Sequence, residues 1–235
     1  MGLNYFIYKG KSSLDFGAVI SGEETYQSPE KDITTVSVPG RNGTLSLDNN
    51  RFQNVVIPYG MYIIDHFEVN FGALKAFLGS VKGYARLEDT YHPEYFRQAR
   101  FFSAIQPEMT QLNRHGKFTV NFDCDPRCFL KTGENMEPIV NGDVRMNMTE
   151  YDALPLIRAY GTGTIAINGR SVQVTSANEY TDIDSELQEA YKGSTNCNAN
   201  IVLTNGEFPK LEAGLNEITI TGFSQVYIKP RWWTI

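Results

Sequence analysis

Cysteine is scarce in this chain. Cys124, Cys128 and Cys197 are odd in number and widely spread, which excludes a disulfide framework. Histidine is as thin: His66, His92 and His115 stand singly, and Cys124-x-x-x-Cys128 has no second pair to complete a four-ligand zinc motif. No run of about eighteen apolar residues occurs, the length a membrane-crossing helix requires. The opening Met-Gly-Leu-Asn-Tyr-Phe-Ile-Tyr-Lys has neither a basic lead nor a long apolar segment, so the expectation is a chain folded in a cytosol, without membrane insertion. An excess of basic charge is also missing. The formal charge is -6, with 13 basic against 14 acidic residues before Lys131 and 8 against 13 from Lys131 onward. Such a balance gives no footprint for gripping phosphates, so DNA passing close by is expected to slide rather than stick.

What is present suits a folded core: 235 residues, 41% hydrophobic and 12% aromatic, enough for one large or two ordinary domains. Period-two alternation dominates. Tyr84, Arg86 and Glu88 alternate with Ala85 and Leu87, and Phe96, Gln98, Arg100 and Phe102 with Tyr95, Arg97, Ala99 and Phe101; Asp89-Thr-Tyr-His-Pro-Glu94 reverses the chain between them. The stretch from Gly83 to Phe102 therefore reads as a hairpin. Arginine interleaved with aromatics suits a surface that meets another subunit, though spacing alone equally describes an ordinary half-exposed hairpin. Short strands are also expected within Leu3–Tyr8, Leu14–Ile20, Thr34–Val38, Phe52–Ile57 and Phe118–Cys124, the last with Cys124 facing inward and Asp125-Pro126 stopping it. Pro39-Gly40 and Asn42-Gly43 are turn dipeptides after a strand. The spacing of Phe71, Leu74, Phe77, Leu78 and Val81 predicts a helix over Asn70–Val81 with Asn70 as its cap, lying on a sheet.

From Lys131 to Asp152 the periodicity fades among Gly133, Pro138 and Asn141-Gly142, which places a domain boundary near Lys131–Glu134, with residues 1–131 and 132–235 on its two sides. A second β domain follows. Leu154–Tyr160 reads as a strand, Ile165 and Ile167 lead through Asn168-Gly169 to Val172 and Val174 in a hairpin with a type I′ turn, and Ile218, Ile220 and Val226–Ile228 close the chain.

Candidate chemistry is thin. Gly161-x-Gly163-x-x-Ala166 matches the dinucleotide fingerprint formally, but a hairpin follows where the pyrophosphate needs a helix N-terminus, so the glycines read as a tight connection. Asp182-x-Asp184-x-Glu186 lacks the glycine and the closing carboxylate of a calcium loop and reads as a solvated acidic loop. Gly222-Phe-Ser-Gln-Val226 lacks the second glycine of a nucleophile elbow. Of Trp232-Trp233, alternation allows at most one to line a sugar platform while the other packs in the core. No catalytic, metal or cofactor residue is expected.

Taken in order, Val38-Pro-Gly-Arg-Asn-Gly43, Gly83-Tyr-Ala-Arg-Leu87 with Tyr95-Phe-Arg97, Val120-Asn-Phe-Asp-Cys-Asp-Pro126, Phe208-Pro-Lys-Leu211 with Gly214-Leu-Asn216, and Ile228-Lys-Pro-Arg-Trp232 resemble the distal tail proteins of siphophages over essentially the whole chain. Asn42 stands where that family commonly has Asp, which removes an ion pair and keeps the turn. The resemblance implies a mainly β chain: an N-terminal β-sandwich with one α-helix and a C-terminal galectin-like β-sandwich. It also implies a structural role in the virion at the distal end of the tail, after assembly in the host cytoplasm. Six copies would close a ring joining the tail tube, built of major tail protein, to the tail-associated tip protein. The C-terminal domain would anchor receptor-binding proteins, and the lumen would pass the tape measure and DNA. The residues expected at the subunit interface are Arg41, Arg86, Arg97 and Arg100. A carbohydrate-binding module contacting the host wall is the alternative and a glycan hydrolase a third reading; no family catalytic residues carry over.

Overall fold

The computed structural model describes residues 2–22, 27–110 and 114–235. It divides into two compact units, Met1–Cys128 with Ile235, and Phe129–Thr234. In the first, β1 (Phe6–Tyr8), β2 (Lys11–Ser12), β3 (Ala18–Ile20), β6 (Val55–Ile63), β7 (Ala85–Asp89), β8 (Tyr95–Phe101) and β10 (His115–Cys124) form one antiparallel sheet in the order β2-β1-β7-β8-β10-β6-β3. β9 (Glu108–Thr110) pairs with the start of β10. The sheet folds over until its ends meet, Ile20 N–H donating to the Asn4 carbonyl at 2.7 Å. Inside lie Phe6, Tyr8, Tyr59, Leu87, Val120, Phe122 and Cys124. The longest ladder runs from Gly116↔Ile63 to Cys124↔Val55, so the alternation read at Phe118–Cys124 extends two residues further back.

The one α-helix among the described residues, α1 (Phe67–Ser80), starts earlier than its periodicity predicts. Its cap is His66 in the left-handed region (φ 52), while Asn70 lies inside the first turns and donates through Nδ2 to the Asp65 carbonyl at 3.0 Å. Packing moves the start. Phe67 is 1% exposed and lies over Gly116 so closely that a Cβ there would stand 2.2 Å from its ring. Phe67 and Phe71 stack at 5.1 Å, and Phe118 meets both edge-on. β4 (Lys31–Ser37) and β5 (Thr44–Phe52) form a separate two-stranded ladder. No strand was expected between Asn42-Gly43 and Phe52, where β5 lies.

The second unit is a sandwich of two antiparallel sheets. One holds β12 (Glu137–Ile139), β14 (Leu156–Tyr160), β17 (Tyr180–Asp184), β18 (Glu189–Lys192), β19 (Thr195–Asn196) and β22 (Gln225–Lys229); the other holds β13 (Val144–Asn147), β15 (Gly163–Ile167), β16 (Arg170–Val174), β20 (Ile201–Leu203) and β21 (Gly214–Thr221). Ile157, Ala159, Ile183, Val226 and Ile228 of the first face Ile165, Ile167, Val172, Val174 and Ile218 of the second. Asn168 and Gly169 both take positive φ, 49 and 82, as a type I′ turn requires. Gly163 serves a close approach, since a Cβ there would lie 2.2 Å from the Thr221 carbonyl oxygen. Two expectations change. Residues 131–152 contain β12 and β13, edge strands of three and four residues, too short for their alternation to stand out. The acidic stretch is a β-hairpin with buried carboxylates: Asp182 and Asp184 are 4% and 1% exposed. β11 (Cys128–Leu130) pairs with β23 (Trp233–Thr234); Leu130 N–H donates to Trp232 O and Arg231 N–H to Gly133 O.

Candidate subunit interface

The hairpin β7–β8 forms in the register Ala85↔Ala99, Arg86↔Gln98, Leu87↔Arg97. Its turn is held by Asp89, whose Oδ1 accepts from the amides of Tyr91 and His92 at 2.9 and 2.8 Å. Pairs directly opposite share a face, so Arg86 and Arg100 lie on the outer side and Arg97 on the inner side with Leu87. Arg86 spans Glu88 at 2.6 Å and lies 3.9 Å over the Phe96 ring. Arg100 Nε donates to Asp123 at 2.6 Å, with Tyr84 below it; that hydrogen bond to the carboxylate raises its pKa further. Arg97 donates to the Pro126 carbonyl at 3.2 Å and lines a small cavity with Tyr59, Asp89 and His92. There Tyr59 Oη donates to Asp89 at 2.6 Å, and burial, then the facing carboxylate, hold its hydroxyl protonated well above the ordinary tyrosine range. The inner arginine is therefore part of a polar plug under the hairpin, and only Arg86 and Arg100 present cationic surface.

Arg41 stands apart, at the tip of the β4–β5 arm, where its amide donates to Val38 O at 3.1 Å and Gly40 and Gly43 take φ 79 and 83. Registers Thr34↔Leu47 and Val36↔Leu45 place those residues on one face, and Ile33↔Asp48, Thr35↔Ser46 and Ser37↔Thr44 on the other. One face thus carries Val36, Leu45 and Leu47, exposed by 45%, 44% and 62%, with Val38 beyond them. The other face is mostly hydroxyls, and the base is tied by Arg51 to Asp32 at 2.5 Å and Lys31 to Asp48 at 3.9 Å. No residue of the arm belongs to the buried core. This stripe escaped the sequence reading, although Thr44-Leu-Ser-Leu-Asp48 alternates immediately after Asn42-Gly43. Four arginines were singled out; three share one hairpin, the fourth another, and the apolar stripe beside the fourth is the larger unsatisfied surface.

Other candidates are occupied. Trp232 and Trp233 both pack on the second core, and Trp233 is stacked on Tyr151 at 4.3 Å. Asp182 receives a two-pronged grip from Arg158 at 2.7 and 2.8 Å, and Asp184 one from Arg231 at 2.7 and 2.8 Å. The three cysteines are free.

No protein-family model matches the chain, and no curated protein does. Solved structures do. The Dit protein of phage SPP1, described as a paradigm of the hub adsorption apparatus in phages infecting Gram-positive hosts, superposes with a TM-score of 0.75 at 12% identity, over 97% of this chain and 98% of that one. Chains of the phage P2 baseplate in its activated conformation, with calcium and with strontium, match at TM-scores of 0.54 and 0.53 and identities of 12% and 11%, each over 97% of both chains. Across both units, this chain has the fold of phage tail-hub and baseplate proteins.

Proposed function

We propose that this protein is a distal tail hub, a structural ring at the tail end of a siphophage. The observation that carries the reading is the likeness to the SPP1 hub protein, which includes both units and covers 97% of this chain and 98% of that one. Six copies close a ring through a heterologous contact, in which one surface of a subunit meets a different surface of the next. The β4–β5 arm supplies one of these surfaces. An isolated two-stranded ribbon with an apolar stripe is unstable alone in water, so it gains most by lying on a neighbour. Arg41 at its tip gives the contact a charged, bidentate anchor, and Arg86 and Arg100 belong to the same ring-forming half. The ring joins the tail tube of major tail protein to the tail-associated tip protein and surrounds a lumen that passes the tape measure and DNA. The C-terminal unit holds adhesion components outside it.

Light scattering and negative-stain imaging test this directly. The expected result is a mass that is a multiple of the 26.5 kDa chain and rings with a central hole. Replacing Leu47 with Lys is expected to dissociate the rings while leaving the circular dichroism spectrum unchanged. A sharp single-chain mass at micromolar concentrations overturns the reading.

A further inference from the structure

The outer face of the five-stranded sheet ends in an apolar corner. Val144, Met146 and Met148 occupy every second position of β13 and just past it, exposed by 53%, 51% and 82%, and Leu215 of β21, 69% exposed, stands opposite Met146. β13 is also an edge strand, with β21 on one side and no partner on the other among the described residues. Asp143 O accepts from Ile218 N–H at 2.9 Å. Because backbone direction alternates along a strand, Arg145 and Asn147 also turn their amides toward β21, and those of Val144 and Met146 face the open edge. Apolar side chains and unused ladder groups thus coincide on the same two residues.

Of the other edges of this unit, the three-residue β20 is also apolar, and the two edges of the six-stranded sheet carry protection that β13 lacks. β12 holds Pro138, which cannot donate to an incoming strand, and β19 is the short polar pair Thr195–Asn196. The one charge on β13, Arg145, is taken up by Glu137 and Asp143 at 3.4 and 3.6 Å. Around the corner stand exposed Glu217, directly opposite Val144, and exposed Glu150. From Phe129 to Thr234 there are 8 basic and 13 acidic residues, so a second copy of this strand meets like charge, whereas a cationic segment meets opposite charge.

The geometry points to β13 as a docking edge for an extended segment of a different protein, apolar at every second position with Lys or Arg between. The segment adds a strand beside Val144 and Met146, and its apolar residues lie against Met146, Met148 and Leu215, where flexible thioethers adapt to varied shapes. The assignment stands on the C-terminal unit alone and goes beyond the hub reading.

The test uses the full chain and a fluorescent ten-residue peptide alternating isoleucine and lysine, read by anisotropy and by amide hydrogen exchange. Saturable binding is expected, with new protection at Val144 and Met146. Affinity should fall at least tenfold for the isoleucine–glutamate peptide, for Val144→Pro, which deletes an outward amide and no β21 bond, and for Met146→Lys. If the proline variant does not fold, Met146→Lys decides. No saturable binding, binding that both folded variants retain, or protection at these amides that appears in the chain alone as its concentration rises overturns the proposal. Ring mass, measured in parallel, is a separate outcome: peptide binding by a chain that remains a single subunit sinks the hub reading and leaves this one standing.

Discussion

Asp184 carries the sharpest residue-scale consequence. It is 1% exposed on a sheet facing solvent, and Arg231, itself held at φ 58, folds back to cover it. Burial pushes its pKa up, but Arg231 and the amides of Leu187 and Glu186 pull it down further, so the net shift is downward. The folded chain therefore takes up this proton less readily than the unfolded one. Its contribution is fully present above the ordinary aspartate value of about 3.9 and is lost as pH falls through the lower folded value. Replacing Arg231 with Met should strand the carboxylate and lower unfolding free energy by about 3 kcal/mol at pH 7. Denaturant melts should also show a shallower loss of stability between about pH 5 and pH 3 in the variant, because the depressed pKa is gone. Cys124 gives a second check. Burial pushes its thiol up to about 12, and it is 0% exposed, so a thiol reagent at pH 8 should label Cys197 first and Cys124 only on unfolding. Rapid labelling of Cys124 in the native chain would contradict its place in the core.

Among the elements, the helix and the turns show how local signals and packing divide the work. Gly116→Ala drives a methyl into the Phe67 ring and should cost about 2 kcal/mol, read as a lowered melting midpoint with loss of near-ultraviolet aromatic signal. Gly169→Ala at φ 82 should cost about 1 kcal/mol and leave the β15–β16 register intact. The Asn168-Gly169 turn was legible because its chemistry is local: two residues that tolerate positive φ, flanked by alternating apolar residues. The β7–β8 hairpin was legible from other local signals, period-two alternation and the turn-forming Asp89. The helix start was not, because it depends on Phe67 meeting a glycine forty-nine positions away in the chain, a contact with no periodic signature. Arg97 was assigned to a surface because its type suggested one; its strand parity with Leu87 already put it on the inner face. The acidic hairpin was not legible, since Asp182 and Asp184 look solvated until folding brings Arg158 directly opposite Asp182 on β14 and Arg231, after β22, over Asp184.

At the scale of the whole molecule, charge and apolar surface divide between the units. The first is nearly balanced, 13 basic against 14 acidic residues before Lys131, and carries the arm; the second holds most of the net negative charge. The proposed ring would bring like surfaces of six subunits near one another, which favours building it from the balanced unit. Dissection should follow the ladders: the C-terminal piece must begin before β11, because Leu130 and Gly133 are bonded to Trp232 and Arg231. Residues 1–126 alone should therefore still form rings, and residues 127–235 should sediment as a folded monomer. Removing only the arm, by joining residues 30 and 53 through a short glycine linker, should leave the melting midpoint within a few degrees, since no core residue is lost, yet abolish rings. Raising salt distinguishes the two contributions to that contact: an arm held by its apolar stripe keeps the ring intact at molar salt, whereas one held chiefly by Arg41 releases it as the charges are screened. Four exposed apolar side chains against one arginine favour the first outcome, and ring dissociation below about 0.5 M sodium chloride would move the weight to the arginine.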